Sequence, residues 1–139
     1  MAVTDGSGAS CVTIPHERSS VGTARHAIAD ELETKDVPAL VLQDAVLVVS
    51  ELVSNAIKHA DPLPSGEILV RWCLEADRLR LEITDGGAMT RPRASAPGSA
   101  AMGGRGLDIV SSVCSDWGVT EHENSVTVWA DLPRSGRAG

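Results

Sequence analysis

Glu51 and Asn55 stand four residues apart in the stretch from Val41 to Ala60, VLQDAVLVVSELVSNAIKHA, and their types suit phosphate chemistry. A carboxylate within reach of a hydroxyl or a water can take its proton. A side-chain amide oxygen is a hard, neutral ligand, suited to Mg2+ when phosphates and waters fill the other positions. Asp44, Glu51, Asn55 and Lys58 recur at steps of seven, four and three, which on a helix keeps them on one face. Read by itself, that pattern also describes the solvated face of an amphipathic helix.

Two later stretches bear on the choice. Asp85-Gly86-Gly87 closes an alternating run in which Asp85 shares the parity of Leu81 and Ile83, so its carboxylate is expected to face inward. An inward carboxylate needs a partner. As an acceptor it suits an exocyclic amine such as that of adenine, and Gly87 would let a ligand approach the backbone closely. Gly103-Gly104-Arg105-Gly106 then leads into Leu107, Ile109, Val110 and Val113. Free N–H groups and the helix dipole at such an opening favour phosphate, and Arg105 adds a cation suited to phosphate oxygens. Taken singly, each feature is more often an ordinary turn than a site. Their combination and order carry the inference.

The elements that must position these residues follow from periodicity. Val41–Ala60 is long enough for about five helical turns. Leu42, Ala45, Val46, Val48, Val49, Leu52, Val53, Ala56, Ile57 and Ala60 leave it apolar around most of its circumference, as expected of a buried helix. Upstream, Cys11-Val12-Thr13-Ile14 has strand character and Pro15 ends it. Ser19-Ser20 can cap a helix running to about Glu33, with Val21, Ala24, Ile28 and Leu32 at helical steps. Val37-Pro38 opens the central helix. The cluster from Asp61 to Gly66 breaks the chain.

Ile68, Val70, Trp72 and Leu74, then Leu79, Leu81 and Ile83, alternate about a turn at Ala76-Asp77-Arg78, a hairpin. Residues 88–102 lack periodicity, and a loop of that length in a compact domain is usually functional or disordered. A short helix ends near Cys114-Ser115, and Trp117–Glu121 with Ser125–Leu132 predict a closing hairpin. The order predicts an α+β fold, a largely antiparallel sheet with helices on one face. Residues 1–10 are expected to be disordered, 11–133 to form a single domain, and 134–139 to be a flexible tail.

Bulk properties narrow the functional classes. Phe and Tyr are absent and there are three Trp, so the core is expected to rest on Val, Leu, Ile and Ala, and base stacking on exposed aromatics is disfavoured. A net charge of −7 argues against nucleic-acid and anionic-membrane surfaces and leaves room for a basic partner. Cys11, Cys73 and Cys114 are odd in number and lack zinc spacing, as do His16, His26, His59 and His122. No signal peptide and no apolar run of about 18 residues is read, so a reducing cytoplasm is expected.

The three stretches together resemble the GHKL superfamily of ATP-binding domains, shared by gyrase, heat-shock chaperone ATPases and sensor histidine kinases. Glu51 to Ala60 is similar to its N box, Asp85-Gly86-Gly87 to its first glycine box, and Gly104-Arg105-Gly106-Leu107 to its second. Ser50 to Ala56 and the closing Asp116-Trp117-Gly118 with Thr127-Val128-Trp129-Ala130 resemble the small bacterial anti-sigma-factor serine kinases.

That resemblance implies a two-layer α/β sandwich of the Bergerat ATP-binding type, with a mixed, mostly antiparallel sheet. It implies ATP and Mg2+ as cofactors. Asn55 would bind Mg2+, Asp85 the adenine amine, and Gly87 would admit adenine. Residues 88–103 would form a lid. Gly104 and Gly106 would lie at the phosphates, with Arg105 and Lys58 as further contacts, and Glu51 would be the catalytic base. A sigma factor and a STAS-type anti-anti-sigma protein are the implied partners, and a homodimer is common in the branch, with the outward sheet face around Trp129 and Cys73 available for it. A nucleotide-gated binding module with little or no kinase activity is the alternative. Two departures stand out: strand parity puts Val126 where many members carry Thr, with Thr127 facing away, and His26 lacks the dimerisation hairpin a phospho-accepting histidine needs.

Overall fold

The computed structural model describes residues 3–4, 8–87 and 105–136. In chain order these form β1 (Val3–Thr4), β2 (Ser10–Pro15), α1 (Ser20–Leu32), α2 (Ala39–His59), β3 (Glu67–Leu74), β4 (Arg78–Asp85), α3 (Arg105–Val113), β5 (Asp116–Glu121) and β6 (Val126–Pro133). The strands make one sheet in the order β1-β2-β3-β4-β6-β5. The two-layer α+β architecture expected from the sequence is present.

Every pairing among the described strands is antiparallel, so the sheet is not mixed. The reason is the last hairpin. β4 and β5 both run antiparallel to β6 and therefore parallel to each other, but β6 returns between them. A parallel contact that the β4–α3–β5 crossover would otherwise make is thereby replaced by two antiparallel ones. β1 is a second addition: Val3 pairs with Cys11 and Thr4 with Ser10, within the segment expected to lack structure.

Alternation buries one face of each strand. Ile68, Val70 and Trp72 of β3 meet Leu79, Leu81 and Ile83 of β4, and Val128, Ala130 and Leu132 of β6 continue the layer. Trp72 is fully buried because its ring nitrogen is satisfied: Nε1 donates to Glu31 Oε2 at 3.0 Å. The Ser10 hydroxyl donates to the same carboxylate at 2.6 Å, joining β2, β3 and α1. Ser19 stands at the start of α1 but makes no side-chain cap; its hydroxyl donates to Glu17 instead, at 2.8 Å.

α2 lies in the middle of the helical layer, touching α1, α3, β4 and β6. That placement explains its near-continuous apolar surface. α2 has 21 residues and a mean hydropathy of 1.6 over an 18-residue window, so it is long and apolar enough to cross a bilayer, against the expectation of no such apolar run. Its composition is accounted for by packing: Val41, Ala45, Val48, Val49, Leu52, Val53 and Ala56 are all core residues here. Beyond β6, Arg134 Nη1 donates to the Glu75 carbonyl at 2.9 Å and the Arg134 N–H to the Asp77 carbonyl at 3.1 Å.

Candidate functional site

The polar line on α2 is not uniformly solvated. Asp44 is buried, Glu51 and Asn55 are half-buried, and only Lys58 is exposed. The line therefore follows the flank of the helix rather than its outer ridge. At its Asp44 end the line lies near the end of α3, since Cys114, the residue after α3, feels the Asp44 carboxylate, and α2 packs on α3.

Within this flank Asn55 carries an unmet requirement. Its terminal nitrogen is buried and has no hydrogen-bond partner among the described residues. Such an atom costs about 1–3 kcal/mol when nothing satisfies it, a cost that a bound ligand, ion or water would offset. The two ends of a carboxamide exchange by a half-turn of the side chain, so the same site can present a donor to a phosphate oxygen or an acceptor to a cation. One turn earlier, the half-buried Glu51 carboxylate meets no hydrogen-bond donor among the described residues. No group of three or more His, Cys, Asp or Glu among the described residues forms a metal cluster. A cation at Asn55 would need phosphate and water oxygens to complete its shell, the pattern Mg2+ tolerates.

Asp85 ends β4 with its side chain directed into the interlayer, at 2% exposure, as its parity with Leu81 and Ile83 predicts. Its Oδ1 accepts the Gly87 N–H at 2.7 Å. That bond fixes the carboxylate against its own turn, and a carboxylate can accept about four hydrogen bonds in all. Gly87 takes φ +78°, which a side chain disfavours. A Cβ there would stand 3.2 Å from Val126 Cγ2, so Gly87, Asp85 and Val126 form one wall. Val126 pairs with Asp85 and is buried, and Thr127 turns to the opposite face, where its hydroxyl bonds that of Thr84 at 2.8 Å.

The residues expected at the phosphates are only partly covered. Gly104 and the lid at 88–103 lie outside the described residues. Arg105 and Gly106 form the first turn of α3, as the glycine-rich opening predicts, and the Arg105 side chain is not among those described.

Three features were not singled out from sequence. The breaker cluster after α2 clasps the Asp85 turn: the Asp61 N–H donates to the Gly87 carbonyl at 2.9 Å, and the Gly86 N–H donates to the Asp61 carbonyl at 2.8 Å. Gly86 has no room for a side chain, because a Cβ would run into the Pro62 carbonyl and lie 3.2 Å from the Asp61 oxygen. His16 Nε2 lies 2.8 Å from the Ala60 carbonyl at the end of α2. Backbone-to-backbone clasps leave no mark on residue type, so only the Gly-Gly pair hinted at them.

Comparison with known proteins bears on the family and the fold. A profile of the histidine kinase-like ATPase domain matches residues 14–130. Among solved structures, the fold is similar to a crystal structure of the RsbU and RsbW domains of Rv1364c from Mycobacterium tuberculosis. The TM-score is 0.67 at 18% identity, over 93% of this chain and 34% of that one. It is also similar to the histidine kinase domain of the blue-light activated histidine kinase EL346 from Erythrobacter litoralis. Here the TM-score is 0.50 at 20% identity, over 87% of this chain and 62% of that one. The chain thus spans about a third of the first structure's chain and under two thirds of the second. No curated protein matches it. The matched span runs from the end of β2 almost to the end of β6 and takes in Glu51, Asn55, Asp85 and Gly87, so the chain belongs to the histidine kinase-like ATPase domain family.

Proposed function

We propose that this domain is an ATP-dependent serine protein kinase that also sequesters a sigma factor, and that its phosphorylation target is a small STAS-type anti-anti-sigma protein. The observation that carries the reading is the pairing on one helix of a half-buried Glu51, which meets no donor among the described residues, with the buried Asn55 nitrogen that has no partner among them. A module that only bound nucleotide would need Asn55 and Asp85 but not a base at Glu51.

In this reading Asp85 accepts the adenine amine and Gly87 leaves room for the ring. Gly104, Gly106, Arg105 and Lys58 face the phosphates. Asn55 holds Mg2+, which when bound offsets charge on the phosphate oxygens. Glu51 accepts the proton of the substrate serine as its oxygen bonds to the γ-phosphorus. The bond from that phosphorus to the bridging oxygen breaks, and ADP leaves. The half-burial of Glu51 removes competing water from the proton acceptor without isolating it from a docking protein. A cytoplasmic location fits the three free cysteines. The outer sheet face, with Trp129 and Cys73 half-exposed, is the surface assigned to a homodimer.

The test is phosphate transfer from labelled ATP to candidate STAS-type proteins. Label on a serine, lost in Glu51→Ala while nucleotide binding persists, supports the kinase. ATP binding with no transfer to any candidate replaces it with a nucleotide-gated binding module. Undiminished transfer by Glu51→Ala removes Glu51 as the base.

A further inference from the structure

We propose that the strap following α2, residues 60–63, sets how the domain reads the nucleotide base, with Gly86 and His16 as its positioning residues. The proposal rests on the reading that Asp85 accepts an exocyclic amine, and adds what holds Asp85 in place to do so.

The bonds form a continuous chain. The Asp85 carboxylate accepts from the Gly87 N–H at 2.7 Å. The Gly87 carbonyl accepts from the Asp61 N–H at 2.9 Å, and the Asp61 carbonyl accepts from the Gly86 N–H at 2.8 Å. Asp61 directly follows Ala60, whose N–H still donates to the Ala56 carbonyl of α2 at 3.1 Å. The base-reading carboxylate is therefore tied by backbone bonds to the end of the helix that carries Asn55. Two ends of one ligand, base and phosphate, are held at a separation that this strap defines.

Two side-chain choices keep the strap in place. Gly86 lets the β4 end press against it, since any Cβ would strike the Pro62 carbonyl. His16, in the link between β2 and α1, caps the end of α2 from the other side. Its Nε2 lies 2.8 Å from the Ala60 carbonyl and 3.3 Å from the Ala56 carbonyl. Carbonyl oxygens only accept, so Nε2 must carry the proton. The Ala60 carbonyl lies just past the last turn, where a helix leaves carbonyls without internal partners, while the Ala56 carbonyl already accepts the Ala60 N–H. The His16 N–H also reaches the Gly66 carbonyl at 3.4 Å, closing the segment after the strap. Glycine at 86 is thus a requirement of position rather than of turn geometry, because the positive φ belongs to Gly87 and not to Gly86.

A shift of the strap by about 1 Å would move Asp85 off a bound amine, and misplacements of that size cost on the order of a hundredfold in function. A base that offers a carbonyl in place of the amine lacks that bond to Asp85 and should depend less on where the strap holds it. The experiment measures the affinities of ATP and of inosine triphosphate for the full chain. The proteins compared are wild type, Gly86→Ala, His16→Ala and His16→Gln. The expected result is a preference for ATP in wild type. It should collapse in Gly86→Ala through at least a tenfold loss of ATP affinity, with inosine triphosphate binding nearly unchanged. His16→Ala should show a smaller loss in the same direction, and His16→Gln, which restores a donor, should recover it.

Equal weakening of both nucleotides, or a wild-type preference in both Gly86→Ala and His16→Ala, overturns the proposal while leaving the ATP reading intact. If Gly86→Ala does not fold, the two His16 variants decide alone. A wild-type protein that binds neither nucleotide overturns this proposal together with the reading beneath it.

Discussion

Asp85 and Val126 face each other in the β4–β6 register, and both are buried, at 2% and 7% exposure. A buried carboxylate beside an aliphatic side chain receives no hydroxyl from that neighbour. In the proposed reading, recognition of an amine beside Val126 then rests on Asp85.

Asp85→Asn should therefore weaken ATP binding sharply without unfolding the protein. The amide oxygen can still accept the Gly87 N–H, but its other end becomes a donor where an acceptor is needed. A lost hydrogen bond to a charged group is worth about 1.5–3 kcal/mol, or about a ten- to hundredfold loss of affinity. Calorimetric titration with ATP, alongside a thermal melt, measures both. Unchanged affinity would remove Asp85 from base recognition.

Asn55→Ala should separate stability from function. The wild-type side chain holds a buried nitrogen without a partner, so its removal relieves a desolvation cost. Stability should fall by no more than about 1 kcal/mol, and can rise. Nucleotide binding in Mg2+ should nonetheless be largely lost. Urea denaturation and ATP titration of the same preparation test the pair of outcomes, and a large loss of stability would mark Asn55 as structural.

Cys114 should be a poorly reactive thiol. Burial, and then the Asp131 and Asp44 carboxylates, push its pKa up to about 12. At pH 8.5 the thiolate fraction is then very small, and the thiolate is the reactive species. Alkylation followed by mass spectrometry should show Cys114 unmodified in the folded protein and modified after denaturant. The sign for stability follows. The folded thiol stays protonated at a pH where the unfolded one ionises, so this contribution is full below the ordinary value of 9.0 and is lost as pH rises towards about 12.

Asp131→Ala should destabilise the domain from the face opposite the helices. Asp131 is buried and takes Arg80 Nε at 2.7 Å, Arg80 Nη2 at 2.8 Å and Arg78 Nη1 at 3.2 Å. The hydrogen bond to Asp131 raises the Arg80 pKa, and the guanidinium lies 4.5 Å from the centre of the Trp129 ring. Truncation leaves two half-covered cations without this partner. The arginines retain some solvent, so the cost should be about 2 kcal/mol, below that of breaking a fully buried pair. Urea midpoints measure it, and ATP affinity, read in parallel, should stay near wild type because the network lies across the sheet from Asp85.

Much of this protein was determined by residue order alone. Alternation placed Asp85 inward and Thr127 outward, and helical steps put Glu51, Asn55 and Lys58 on one face, because periods of 2 and 3.6 encode faces directly. The glycine-rich opening of α3 was legible for the same local reason. What periodicity does not encode is which neighbour covers a face. Only tertiary packing decided that the polar line is graded from buried Asp44 to exposed Lys58. Packing also slid β6 between β4 and β5 and made the sheet antiparallel throughout its described strands. The strap from Ala60 to Gly87 is made of peptide groups, which every residue carries, so its existence had to come from the fold. Its one trace in the sequence was a glycine at 86, where a side chain would meet the Pro62 carbonyl.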